Sequence, residues 1–107
     1  MLLNNGSWNG KEYLSRKTVE LMTYNHTGKL YQKPGEGFGL GFAVVMDVAE
    51  TKFPGSAGTF YWSGAFNTHF FIDPREKLIS IFMTHEDHYN DWYHSVMRQM
   101  VYQSITD

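Results

Sequence analysis

Gly58-Thr59-Phe60-Tyr61-Trp62-Ser63-Gly64-Ala65-Phe66-Asn67-Thr68, continuing through Phe70-Phe71-Ile72-Asp73-Pro74 to Leu78-Ile79-Ser80-Ile81-Phe82-Met83-Thr84, decides the fold. Aromatic and β-branched residues dominate it, which is the composition of strands. Asp73-Pro74-Arg75-Glu76 is a turn between two such runs, so Phe66–Ile72 and Lys77–Thr84 read as a hairpin. Gly58–Trp62 precedes it as a further strand, and a bent continuation from Trp62 into Phe66 is an alternative. In Leu78–Met83 apolar residues point to both sides, the pattern of a strand covered on both faces.

Working outward, Gly37-Phe38-Gly39-Leu40-Gly41-Phe42-Ala43-Val44-Val45-Met46 places another strand over Gly39–Asp47, its glycines allowing close approach of a second element. Val48–Ala57 reads as a connection broken by Pro54 and Gly55. Ser15 is an N-cap for a short helix over Arg16–Tyr24, ended by Asn25 and Gly28. Asp91 caps a last helix from Trp92 to about Ile105, with Tyr93, Val96, Met97, Met100 and Val101 as its apolar face. Asn5-Gly6 and Asn9-Gly10 are turns, with Trp8 packed over the loop between them.

The expected class is therefore α+β: an antiparallel sheet of three to four strands, a carboxy-terminal packing helix and one short amino-terminal helix. One helix can cover one sheet face; the short one cannot cover the other. The pattern implies a partner layer, and residues 1–107 read as a single carboxy-terminal segment of a larger domain.

Composition removes several function classes. Of 107 residues, 42% are hydrophobic and 17% aromatic, which excludes disorder and fits one domain. The net charge is -2 with no basic stripe, so nucleic acid is not an expected partner. With no cysteine there is no disulfide or thiol chemistry. No apolar run reaches membrane-spanning length, and residues 1–6 lack the basic start of a signal peptide.

Several motifs fail on inspection. Gly35–Gly41 is glycine-rich, but Leu40 breaks the dinucleotide fingerprint and no Gly-Lys-Ser/Thr follows. His85, Asp87 and His88 fall short of the zinc-protease pattern because position 89 is Tyr89, so no metal and no cofactor are expected. Asn25-His26-Thr27 matches a glycosylation sequon without further support. Ser63 lies outside a nucleophile elbow and has no neighbouring lysine or histidine in sequence.

Taken in order, the Gly58–Thr84 motifs, Gly37–Phe42, Leu14-Ser15 and Thr18–Met22 resemble the serine β-lactamase family. The nearest branch is that of class C β-lactamases, related esterases and penicillin-binding-protein-like hydrolases. That resemblance implies ester, amide or β-lactam-type acyl hydrolysis in a full-length protein. It assigns the family's Lys-Thr-Gly position to Trp62-Ser63-Gly64. Trp62 would then be a pocket wall, Ser63 a hydrogen-bonding contact to substrate or to the family's catalytic tyrosine, and Gly64 a point of close backbone approach. Ala65 would supply one oxyanion-hole N–H. Trp62 in place of lysine removes a positive charge and favours ester, amide or peptide hydrolysis over β-lactam turnover. Neither Ser-x-x-Lys nor Tyr-x-Asn occurs, so the chain alone is expected to be inactive. The missing amino-terminal part is the expected partner, with self-association through an exposed sheet face or edge as the alternative. The family is often exported, but nothing in this sequence fixes a compartment.

Overall fold

The computed structural model describes all residues, Met1–Asp107. A five-stranded antiparallel sheet carries the fold, and neighbours in sequence are neighbours in space. Its strands are β3 (Glu36–Phe38), β4 (Ala43–Val45), β5 (Phe60–Ser63), β6 (His69–Asp73) and β7 (Leu78–Phe82). Before it come a 3-10 turn at Leu2–Asn4, the small ribbon of β1 (Ser7–Trp8) and β2 (Lys11–Glu12), and helix α1 (Arg16–Met22). Helix α2 (Val48–Thr51) follows β4, and α3 (Asp91–Gln103) closes the chain. The α+β class is as expected.

Local chemistry sets the boundaries. Asn9 and Gly10 both adopt positive φ between β1 and β2, the two-residue hairpin geometry such a pair favours. Trp8 is exposed rather than packed over the loop, because the ribbon holds it outward. Ser15 Oγ accepts from Thr18 N–H at 3.1 Å and starts α1 as expected. That helix ends at Met22, sooner than anticipated, as the Thr23 hydroxyl bonds back to the Val19 carbonyl at 3.0 Å. Asn25, the sequon asparagine, is a tie: its Oδ1 accepts from Thr27 N–H and from Phe38 N–H in β3.

Two expectations change. The strand over Gly39–Asp47 is instead a hairpin, with β3 and β4 paired Glu36↔Val45 through Phe38↔Ala43. Gly41 takes φ +96° in its turn, and a side chain at Gly39 would strike the Met22 carbonyl. The glycines therefore mark a reversal of the chain, which raises the sheet to five strands. The segment after it holds α2, whose cap is Asp47, accepting from Ala49 N–H and Glu50 N–H. Likewise Trp62 and Phe66 do not share a bent strand: β5 and β6 pair antiparallel, Ser63↔His69 through Phe60↔Ile72, around a turn at 64–68.

The core lies on both faces of the sheet. Beneath α3, Ala43, Val45, Tyr61 and Phe71 are buried, with Val101 and Tyr102 of the helix against them. On the reverse, Val44, Phe60 and Ile72 pack with Leu2, Leu3, Phe42 and Phe70. Toward β7 that reverse face opens, and Ile79, Ile81 and Met83 are exposed.

Helix α3 sits differently from its hydrophobic pattern. Its cap is Asn90, whose Oδ1 accepts from Trp92 N–H at 2.9 Å, and Asp91 is its first residue. Its most deeply buried residues are His94 and Arg98, whereas Met100 is 65% exposed. Tyr93, Val96 and Met97 are half-buried at its flank.

Candidate functional site

The sheet stops short where β5 ends. Strand β4 pairs with β5 at Val44↔Phe60 and Ala43↔Tyr61 and goes no further toward Ser63. Trp62–Ala65 therefore runs on as an open edge, and it borders a cavity of about 1080 Å³ between that edge and the start of α3. All four residues singled out in the sequence, Trp62, Ser63, Gly64 and Ala65, line it.

Each has a definite setting. Trp62 is partly exposed, with Phe38 edge-on at 5.2 Å between ring centres. At Gly64 a side chain would meet the Thr68 hydroxyl, which would have to rotate away to admit it. Gly64 N–H is spent on the Thr68 carbonyl at 2.8 Å. The N–H of Ala65 has no partner within the chain, and the residue is exposed.

Ser63 is the surprise. Sequence gave it no basic neighbour, yet two histidines reach it: His69 Nδ1 at 3.0 Å and His94 Nδ1 at 3.3 Å. Strand register brings the first and the α3 contact brings the second. The rings stack with centres 4.5 Å apart. The Asn67 carbonyl, which can only accept, lies 3.3 Å from His94 Nε2. His94 therefore donates from Nε2 to that carbonyl, and its Nδ1 and the Nδ1 of His69 both face Ser63 Oγ. Burial, reinforced by the charges of His94 and Arg98, lowers the His69 pKa to about 4, so it is neutral near pH 7.

Asn67 is a positioning residue that sequence reasoning passed over. It is fully buried at φ 65°, a conformation asparagine tolerates better than most. Its Nδ2 donates to the His88 carbonyl at 2.8 Å, and its Oδ1 accepts from Asn90 N–H at 2.7 Å. One side chain thus ties the turn after Ala65 to the cap of α3.

Deeper in the cavity, Tyr61 Oη donates to Glu36 Oε2 at 2.7 Å. Burial first, then the Glu36 carboxylate, hold the phenol well above its ordinary pKa. Arg98 lies over the Tyr61 ring at 4.9 Å. His85 stacks on Phe66 at 4.7 Å.

Comparison with known proteins bears on this arrangement. No family model matches the chain. The solved structure of EstCE1, a hydrolase with promiscuous acyltransferase activity, superposes with a TM-score of 0.79 at 28% identity. The match covers 94% of this chain and 26% of EstCE1. The fold is that of a hydrolase-like domain. Two curated proteins of Mycobacterium tuberculosis, Protein Rv1367c (strain H37Rv) and Uncharacterized protein MT1414 (strain CDC 1551), are each 34% identical over 95 residues. Those alignments take in 78% of this chain and 24% of each relative, so the chain spans about a quarter of their length.

Proposed function

We propose that this hydrolase-like chain forms one wall of the substrate cleft of a serine acyl hydrolase of the esterase-like β-lactamase branch. The carrying observation is the open edge Trp62–Ala65 facing a cavity, within a fold that follows EstCE1 over 94% of the chain. In this reading the unpartnered Ala65 N–H donates to the oxyanion of a tetrahedral intermediate. One such donor is worth on the order of 3 kcal/mol in the transition state. The Ser63 hydroxyl, oriented by His69 and His94, meets the polar end of the substrate, and Trp62 walls the acyl or alcohol side. Gly64 keeps the edge bare for backbone approach.

The nucleophile and its base come from the amino-terminal part of a longer protein, which is the natural partner of this wall. Alone, the chain binds but does not turn over ester. The exposed Ile79, Ile81 and Met83 next to the free edge of β7 support that reading, since a covering layer would bury them. They support a second reading as well, a non-catalytic module that associates with its own copies through the same surface.

Treatment with a fluorophosphonate followed by intact-mass measurement tests the first reading. No adduct is expected. The rival within the chain is Ser63 itself, activated by His94. A triad would hold His94 Nε2 with a carboxylate, whereas here the Asn67 carbonyl occupies it. Stoichiometric labelling lost in Ser63→Ala would overturn the proposal.

A further inference from the structure

The chain carries two Asn-Gly pairs, Asn5-Gly6 and Asn9-Gly10, and the fold treats them in opposite ways. Each asparagine is exposed and takes a positive φ, 53° at Asn5 and 49° at Asn9. The difference lies in the glycine that follows. Gly6 is buried, and its N–H donates to the Met1 carbonyl at 3.1 Å. Its own carbonyl accepts from the N–H groups of Tyr13 at 2.9 Å and Leu14 at 3.2 Å. The Leu14 carbonyl fills the space a side chain would take there. Gly10 is exposed, open space surrounds it, and its N–H has no partner in the chain. It lies at the tip of a ribbon of two residue pairs, Ser7↔Glu12 and Trp8↔Lys11, in a sheet of its own. So short a hairpin opens readily.

We propose that Asn9 is a site of spontaneous backbone modification, and that the fold protects Asn5 from the same reaction. The tip first opens, letting Asn9 leave its turn conformation. The Gly10 backbone nitrogen, its proton passed to solvent, then attacks the side-chain amide carbon of Asn9. A C–N bond forms and closes a five-membered succinimide. The bond from that carbon to the side-chain nitrogen breaks, and the nitrogen leaves as ammonia. Water next adds to one of the two ring carbonyls and breaks its bond to the ring nitrogen. Opening at the side-chain carbonyl yields aspartate; opening at the main-chain carbonyl yields isoaspartate. Glycine suits the attacking position because no Cβ shields its nitrogen. At Gly6 the nitrogen is hydrogen-bonded and packed, and three backbone bonds must break before it can react.

Either product adds a carboxylate beside Lys11 to a chain of formal net charge -2. Isoaspartate also lengthens the main chain at the tip, which a two-residue turn does not accommodate, so the β1–β2 ribbon parts while the five-stranded sheet stays intact. Residues 7–12 do not line the cavity, so this inference stands apart from the cleft reading.

The test is incubation of the 107-residue chain in mildly alkaline buffer, with and without denaturing urea. Fragmentation sequencing of the tryptic peptides follows the asparagine amides, and an isoaspartyl methyltransferase labels the isomerised product. In the native chain Asn9 is expected to react at least about 10-fold faster than Asn5. In urea the two rates should converge, because both positions then present the same Asn-Gly chemistry. Asn9→Gln, whose longer side chain would have to close a six-membered ring, should remove the methyl label from the native chain. Asn5 reacting as fast as Asn9 in the native chain would overturn the inference. So would a native Asn9 that stays intact over the time in which the urea-treated chain reacts, or two asparagines that both persist in urea.

Discussion

The two faces of the sheet treat water in opposite ways. Under α3 the interior is partly polar, with His94 and Arg98 as the most buried residues of the helix. On the reverse face the residues are apolar, yet toward β7 Ile79, Ile81 and Met83 stand in solvent. Hydrophobicity alone would exchange these two environments. The polar groups are inside because they line a cavity, and the apolar ones are outside because nothing in the chain covers them. Burial here follows the site.

Substitutions on the two faces should therefore differ sharply. Phe71, fully buried and stacked on Tyr102 at 5.4 Å, is the severest case. Phe71→Ala is expected to cost about 3–5 kcal/mol in urea unfolding. A loss under about 1 kcal/mol would mean that α3 is not seated on the sheet.

The next effect is acid. His69 is held neutral down to about 4, against an ordinary value of 6.5. As pH falls below the ordinary value, the unfolded chain takes up a proton that the folded chain refuses. Stability is then lost progressively from about pH 6.5 to about pH 4 and levels off below, by on the order of 2 kcal/mol after allowance for solvent screening. His69→Phe should flatten that slope in a pH series of urea midpoints.

Tyr102→Phe follows. Burial works against the charge of Asp73, but the Tyr102 and Ser56 hydroxyls and the N–H groups of Glu76 and Arg75 outweigh it and keep the carboxyl below its ordinary value. Removing the 2.7 Å bond from Tyr102 should cost about 1–2 kcal/mol and raise the Asp73 pKa, read by carboxyl NMR. The smallest effect belongs to the open face. Ile81→Lys, at a residue 65% exposed, should change stability by no more than about 0.5 kcal/mol. A large loss there would show that the face is covered in solution by another copy.

The same contrast explains what could be read from sequence. Local chemistry was legible: the Ser15 cap, the turn at Asp73–Glu76 and the two strands it joins all depend on residues near one another. The β3–β4 hairpin was hidden because Gly39 and Gly41 suit both a relieved strand and a turn, and only the Met22 carbonyl decides between them. The apolar period of α3 pointed to Met100, but the interior it meets includes polar His69, so the helix turns His94 and Arg98 inward instead. Of the site, the edge Trp62–Ala65 was visible as a motif. His69, His94 and Arg98 were not, because strand register and helix docking bring them there from positions without local signature. Asn67 likewise gains its role from a cap more than twenty residues away.

The most direct test of the cleft-wall account is initial-rate hydrolysis of p-nitrophenyl butyrate by the purified 107-residue chain, with Ser63→Ala in parallel. The account predicts that both proteins match the buffer blank at every ester concentration. Saturable turnover by the unaltered chain, abolished in Ser63→Ala, would contradict it.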